Sequence, residues 1–289
     1  MNEIKLFDLH SDLPTRESPL EENVALALKY KSQKNYVINA VYKGNRSLQT
    51  ALKIAHTLKE NSLPLAFEDC CYEDYINSQN IDEQKNRAEE LASKLCEHNP
   101  LYISLGWNYD NLFCGGCAGG GGLSALGKKV VQVLNQKGCA VDCAHSNEKT
   151  FYALAQLSNK FLCSHTAFNW IFPHRRNLTK EQVRTIIGKG GIIGLIGVGH
   201  FLSGNKGRRA HEQAFFTHLY DYLEKFGAQG LAIGSDFYGS NAPFYTDGDY
   251  SFSQKINEEL TKKGVDKKTI DKILYKNAVD FFGFNAQNE

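Results

Sequence analysis

The segment Leu123-Ser124-Ala125-Leu126-Gly127-Lys128-Lys129-Val130-Val131-Gln132-Val133-Leu134-Asn135-Gln136-Lys137-Gly138-Cys139-Ala140-Val141-Asp142-Cys143-Ala144-His145-Ser146 contains one complete structural unit. Leu123, Leu126, Val130, Val131 and Leu134 fall on one stripe at helical spacing. Gly138 follows as a helix stop, since glycine tolerates the left-handed conformation that ends many helices. Cys139–Cys143 then reads as a short strand buried on both faces, and Asp142 to Ser146 puts an aspartate and a histidine at its end.

The same helix-then-strand grammar extends in both directions. Short runs rich in Ile, Val, Leu and Phe recur at Ile4–Leu9, Tyr36–Val41, Leu63–Phe67, Leu101–Leu105, Lys160–Cys163, Gly191–Gly197 and Leu231–Gly234. Helical patterns separate them at Leu48–Glu60, Ile81–Glu97, Glu148–Leu157, Glu212–Phe226 and Lys267–Phe282. Thr179-Lys-Glu-Gln182 has capping-box spacing and opens a further helix through Ile186 and Ile187. Eight alternations in 289 residues predict an α/β (β/α)8 TIM-like barrel, with a doubly wound open sheet as the rival. With no linker or internal repeat, residues 1–289 read as a single domain. The glycine-rich stretch 114–122 reads as a flexible insertion between strand and helix.

Composition narrows the partners. Lys+Arg number 33 and Asp+Glu 32, a formal net charge of +1, with 42% hydrophobic and 22% charged residues. That balance, without a long basic run, argues against nucleic acid or an anionic membrane surface as partner. No apolar run approaches a membrane span, and the start lacks a signal-peptide core, so a cytoplasmic location is expected. The eight cysteines then read as reduced thiols. Cys114-Gly-Gly-Cys117 alone has redox or metal spacing.

In a barrel, chemistry gathers just past the C-terminal ends of the strands. Those ends read Asp8-Leu9-His10-Ser11-Asp12, Phe67-Glu68-Asp69, Asp142-Cys143-Ala144-His145, Cys163-Ser164-His165-Thr166 and Gly234-Ser235-Asp236-Phe237. His10 and Asp12, two apart on an extended chain, project to the same side. Imidazole with carboxylate suits Zn²⁺, and a carboxylate can bridge two ions. Three histidines and three carboxylates exceed what one tetrahedral zinc requires, which points to a two-metal site. A lone histidine after a strand is usually structural, but three at equivalent positions are not alone. His56, His98, His211 and His218 sit on helical segments and read as structural. Asp8 and Asp142 read either as groups orienting a ligating ring or as strand-end hydrogen-bonding residues.

The chain resembles the membrane (renal) dipeptidases and their soluble bacterial relatives, zinc peptidases of the amidohydrolase superfamily. The resemblance rests on Asp8-Leu9-His10-Ser11-Asp12-Leu13-Pro14, Gly122-Leu123-Ser124-Ala125-Leu126-Gly127, Val141-Asp142-Cys143-Ala144-His145-Ser146 and Ser164-His165-Thr166-Ala167. Pro173-His174-Arg175-Arg176-Asn177-Leu178 and Ile233-Gly234-Ser235-Asp236-Phe237 complete the series. It implies one Zn²⁺ on His10 and Asp12 and a second on His145 and His165, bridged by Glu68 and a water or hydroxide. It further implies Asp236 as proton-transfer group, Arg176 on a dipeptide's terminal carboxylate, and a homodimer. The expected reaction is dipeptide hydrolysis by the metal-bridging hydroxide. Two positions depart from the family: Trp107 stands where the renal enzymes carry a histidine, and Tyr238 replaces the second Asp of D-F-D-G. Without imidazole at Trp107, transition-state stabilisation falls to a zinc or to Asn108, and Trp107 and Asn108 are expected to face substrate. The same departures leave open a related dizinc amidohydrolase acting on an N-acyl amino acid or lactone.

Overall fold

The computed structural model describes residues 5–243 and 245–284, so Ile4 of the first expected strand lies outside the described residues. Eight strands form a closed barrel in sequence order: β1 (Leu6–Ser11), β2 (Asn35–Tyr42), β3 (Leu65–Glu68), β4 (Tyr102–Ser104), β5 (Ala140–Asp142), β6 (Phe161–Thr166), β7 (Ile193–Ile196) and β8 (Leu231–Gly234). Neighbours pair in parallel, and β1 closes onto β8 with Asp8 opposite Ile233. The (β/α)8 barrel expected from the alternation is the observed fold, and the open sheet is ruled out by that closure. By backbone proximity the chain divides into two compact units, one holding residues up to Ile38 and from Cys163 onward, the other Asn39–Leu162. The boundaries fall inside β2 and β6.

Register carries the strand ends into place within each unit. Tyr42 lies opposite Glu68, Ser104 opposite Asp142, and Ile196 opposite Gly234. The strands are apolar because both faces are covered: every residue of β1, β3, β6 and β8 is buried. Helices begin where the sequence supplies an acceptor for their orphan N–H groups. Ser124 caps the helix Ala125–Gln136 through the Gly127 N–H. Thr179 and Gln182 form the reciprocal capping box that their spacing predicts.

Several helical features differ from the sequence reading. Leu20–Ser32 and Phe252–Lys262 are helices that periodicity did not disclose. The first buries Asn23 beside Val24 and Ala27 while Leu28 is exposed, which blurs its stripe. The second has Phe252, Ile256 and Leu260 as its buried large apolar residues. The stretch Lys267–Phe282 is continuous but widens to a π-helical turn at Lys272–Lys276. That turn precedes Asn277, whose side-chain amide donates to Ala228 O and Leu231 O at 2.6 and 2.7 Å, tying the helix to the start of β8. Among the described residues no helix is long and apolar enough to cross a membrane.

His218 is structural, as its helical position suggested. Its ring is fully buried; Nδ1 accepts the Phe168 N–H at 3.2 Å and Nε2 donates to Leu202 O at 3.0 Å. Burial pushes its pKa down to about 4, against the opposing bond to Leu202. The unfolded chain therefore takes up a proton near pH 6.5 that the folded chain refuses until about pH 4. Stability is complete above pH 6.5 and falls by about 3 kcal/mol as pH drops through that window. Urea unfolding at pH 7 and pH 4.5 should record most of this loss, and His218→Asn should flatten the corresponding part of the pH slope.

Candidate metal centre

In the unit containing β1, β6, β7 and β8, three strand ends bring polar groups together out of water. His10, Asp12, His165 and Asp236 are all buried. His10 Nε2 lies 3.7 Å from Asp12 Oδ2 and 3.9 Å from Asp236 Oδ1. The rings of His10 and His165 stack obliquely with centroids 4.0 Å apart, and Ser164 Oγ meets His165 Nδ1 at 2.8 Å. One ligand atom from each of His10, Asp12 and Asp236 fits within a mutual distance of 4.8 Å.

The backbone is built to hold these groups there. Asp8 accepts the N–H of Ser235 at 2.8 Å and of His10 at 3.2 Å, and also the Ser235 hydroxyl, so its carboxylate pins the end of β1 to the end of β8. This is the strand-end role among the two that the sequence left open. Burial raises the Asp8 pKa to about 6 despite the Ser235 bonds. Asp236 N–H donates to His10 O at 3.0 Å and Asp12 N–H to Phe237 O at 2.9 Å. Asp236 itself has φ +58°, a conformation non-glycine residues seldom adopt and one that collects at functional sites. Gly239 is glycine for space: a Cβ there would come within 2.2 Å of both Asp12 Oδ2 and Asp236 Oδ1.

Burial, reinforced by the charge of Asp12 alongside, pushes the Asp236 carboxyl up to about 8 while His10 and Arg176 pull it down. Asp12 Oδ1 is buried with no hydrogen-bond partner among the described residues. Two crowded carboxylates and an imidazole make an acceptor-rich donor set, and that chemistry fits a divalent cation. Arg176, on the loop after β6, is buried as well. Its Nη2 donates to His165 O at 3.2 Å, its guanidinium lies 5.6 Å from the Phe201 ring centre, and its Nε has no hydrogen-bond partner among the described residues. Tyr238, at the departing position, meets Tyr30 OH at 2.6 Å and carries Arg16 over its ring.

The unit containing β3, β4 and β5 assembles a second group. Glu68 ends β3, buried, with Oε1 3.3 Å from His145 Nε2. His145 has φ +67°. Its Nδ1 sits 2.9 Å from Asn108 Oδ1, and Trp107 lies obliquely against its ring at 5.6 Å, with Tyr42 on Trp107 at 5.4 Å. Asn108 thus touches a histidine expected to ligate metal, a contact the sequence did not disclose.

The glycine run is hydrogen-bonded rather than open. Asp110 accepts the N–H groups of Gly121 at 2.9 Å, Gly120 at 3.1 Å and Gly116 at 3.2 Å, and these bonds hold its carboxyl below the usual range. Asn147 donates to Gly121 O at 2.8 Å from the other side. The sequence signal was a carboxylate four residues ahead of Cys114, where its reach into the loop is legible only once the loop is folded. All eight cysteines are free of disulfides, and burial raises the thiols of Cys70, Cys71 and Cys114.

Comparison with known proteins adds the family. Residues 80–286, well over half of the chain, match the model of the membrane dipeptidases, peptidase family M19. The chain belongs to that family. It is thereby a metallopeptidase by class, a hydrolase of peptide bonds. His10, Asp12 and Glu68 precede the matched stretch. An uncharacterized protein from the pqqA 5′ region of Klebsiella pneumoniae is 30% identical over 183 residues, 59% of this chain and 67% of that one. The dipeptidase tcpJ of Claviceps purpurea is 26% identical over 161 residues, 55% of this chain and 37% of its own length. The match therefore spans little more than a third of that dipeptidase. A metallopeptidase of Rhodobacter sphaeroides, solved with a phosphinate mimic of L-Ala-D-Ala, has the same fold with a TM-score of 0.77 at 17% identity, covering 98% of this chain and 99% of that one.

Asp110→Ala should release the loop. Amide exchange at Gly116, Gly120 and Gly121 is expected to speed up at least about tenfold, measured by mass spectrometry. Unchanged protection would mean the loop is held by other groups.

Proposed function

We propose that this chain is a zinc-dependent dipeptidase in which residues 1–289 act as one barrel domain. His10 and Asp12 would hold one ion, His145 and His165 a second, with Glu68 between them. The observation that carries this reading is the buried cluster of His10, Asp12 and Asp236 within 4.8 Å, in a chain of the membrane dipeptidase family. It is supported by the closed parallel barrel, where every strand opens its C-terminal end on one rim. Divalent cations held by these residues would supply an acidified water and Lewis-acid polarisation of a carbonyl.

The side chains have separable tasks. Asp236 receives a proton at its carboxylate and returns it to the leaving amine. Arg176, buried and with Nε unengaged, offers a planar fork to the substrate's terminal carboxylate. Trp107 forms an apolar wall beside His145 and lines the substrate side with Asn108. The dipeptide mimic bound by the Rhodobacter sphaeroides relative supports a dipeptide as substrate.

The presence of Trp107 at the renal histidine's position favours a second reading, a related dizinc hydrolase of N-acyl amino acids or lactones. A turnover panel of dipeptides beside those compounds separates the two: dipeptide kcat/KM should exceed the others.

Metal analysis of purified protein should give about two zinc ions per chain. His145→Ala or His165→Ala should lose metal, and dipeptide turnover should fall by about three orders of magnitude. Full turnover in a metal-depleted variant would overturn the proposal. Arg176→Lys keeps the charge but not the fork, so KM should rise about 10- to 100-fold with kcat nearly unchanged. A drop in kcat at constant KM would instead place Arg176 in the chemical step.

A further inference from the structure

We propose that Asn108 is the positioning residue of His145, and that Cys117 and the glycine loop hold Asn108 in that position. This rests on the reading of His145 as a metal ligand. It takes Asn108 beyond the substrate contact suggested by its place after β4.

The argument begins with the imidazole. A ring nitrogen ligates metal only through a lone pair, so the other nitrogen must carry the hydrogen, and its partner decides which is which. His145 Nδ1 faces Asn108 Oδ1 at 2.9 Å, while Nε2 faces Glu68 Oε1 at 3.3 Å. An amide oxygen accepts and cannot donate, so it selects the tautomer with hydrogen on Nδ1. The lone pair then lies on Nε2, toward Glu68.

An asparagine amide can be turned end for end, and a second neighbour bears on its orientation. Cys117 Sγ lies 3.2 Å from the same Oδ1 and donates its S–H there. With the oxygen toward the ring both neighbours are satisfied at one atom, and the tautomer of the ring is what the first measurement below reads.

The loop supplies the geometry. Cys117 N–H donates to His145 O at 2.7 Å and Ala118 N–H to Asn108 O at 2.7 Å, while Gly116 bridges to Ser146. The loop thus grips the backbone of both partners. Gly116 must be glycine for this, because a Cβ would sit 2.3 Å from Trp107 O and 2.4 Å from Asn108 C. The Cys114-Gly-Gly-Cys117 spacing then serves to carry one thiol to Asn108, while Cys114 is buried elsewhere in the loop.

Two measurements test this. In metal-free protein, the ¹⁵N shifts of His145 should report hydrogen on Nδ1; a ring with hydrogen on Nε2 alone overturns the proposal whatever the metal content. Zinc affinity should then be measured by competition with a chromophoric chelator for wild type, Asn108→Leu, Asn108→Asp and Cys117→Ala. Asn108→Leu, similar in size but without an acceptor, should weaken one site about 10- to 100-fold. Asn108→Asp restores an acceptor and should stay within about threefold of wild type, whereas Cys117→Ala should lose about threefold. Wild-type affinity in Asn108→Leu, or equal weakening in Asn108→Asp and Asn108→Leu, overturns the inference. A wild type that binds no zinc while showing the Nδ1–H tautomer would sink the proposed function and leave the positioning role supported.

Discussion

Asp12 and Asp236 are buried side by side against His10, and the rest of this end of the barrel answers that crowding. Removing a carboxylate from water is costly unless charge or hydrogen bonds replace the solvent, and two adjacent carboxylates add repulsion. The raised pKa of Asp236, driven first by burial and then by Asp12, registers that cost. Covalent connectivity cannot hold the pair, since they lie 224 positions apart in the chain. Asp8 does so instead, gripping Ser235 and the His10 N–H while its own carboxylate is fully buried. Gly239 leaves the volume that the two carboxylates occupy. A site that stores such repulsion is relieved by a cation, which makes metal binding and stability two readings of one free energy.

The same principle, applied to conformation rather than charge, accounts for the residues with positive φ. His145 and Asp236 occupy the left-handed region at +67° and +58° although neither is glycine. Such a backbone costs of order 1 kcal/mol or more per residue and persists where surrounding contacts over-determine it. Around His145 those contacts are visible: its carbonyl is taken by Cys117 N–H and its ring by Asn108. Asp110 and Asn147 order the loop around it from opposite sides, with glycine where backbone must pass within reach of backbone.

Much of this was legible in the sequence, and the reasons it was are physical. A parallel barrel confines each strand to a short apolar run with both faces covered, so alternation with amphipathic helices disclosed the fold. It also sends the strand ends to one rim, so His10, Asp12, His145, His165 and Asp236 stand out as candidates by position, while Glu68 is distinguished from its neighbour Asp69 only by the family resemblance. What escaped depended on contacts between segments. Asn108 reads as a polar residue after β4 until folding sets its carbonyl against His145. The glycine stretch reads as flexible because its stabilising carboxylate, Asp110, looks like any acidic loop residue. Leu20–Ser32 was missed because its buried face includes Asn23, which a hydrophobic stripe does not count. The π-helical turn answers to the anchoring of Asn277 on β8, a tertiary demand with no local signature.

Trp107 shows how a departure from family pattern can be absorbed rather than merely tolerated. An imidazole at that point would offer a hydrogen bond to a substrate carbonyl; an indole offers surface. Here that surface is packed between Tyr42 and His145, so its contribution falls on the ring of a candidate ligand. With the aromatic wall on the ring's face and Asn108 on its Nδ1, His145 is restrained in both tilt and tautomer. Restraint of that kind favours metal affinity over adaptability, because a ligand that cannot swing binds without losing further freedom. On the proposed reading, the loop after β4 would act also through the histidine it immobilises, and the hydrogen bond that an imidazole at position 107 would offer would have to come from the metal site.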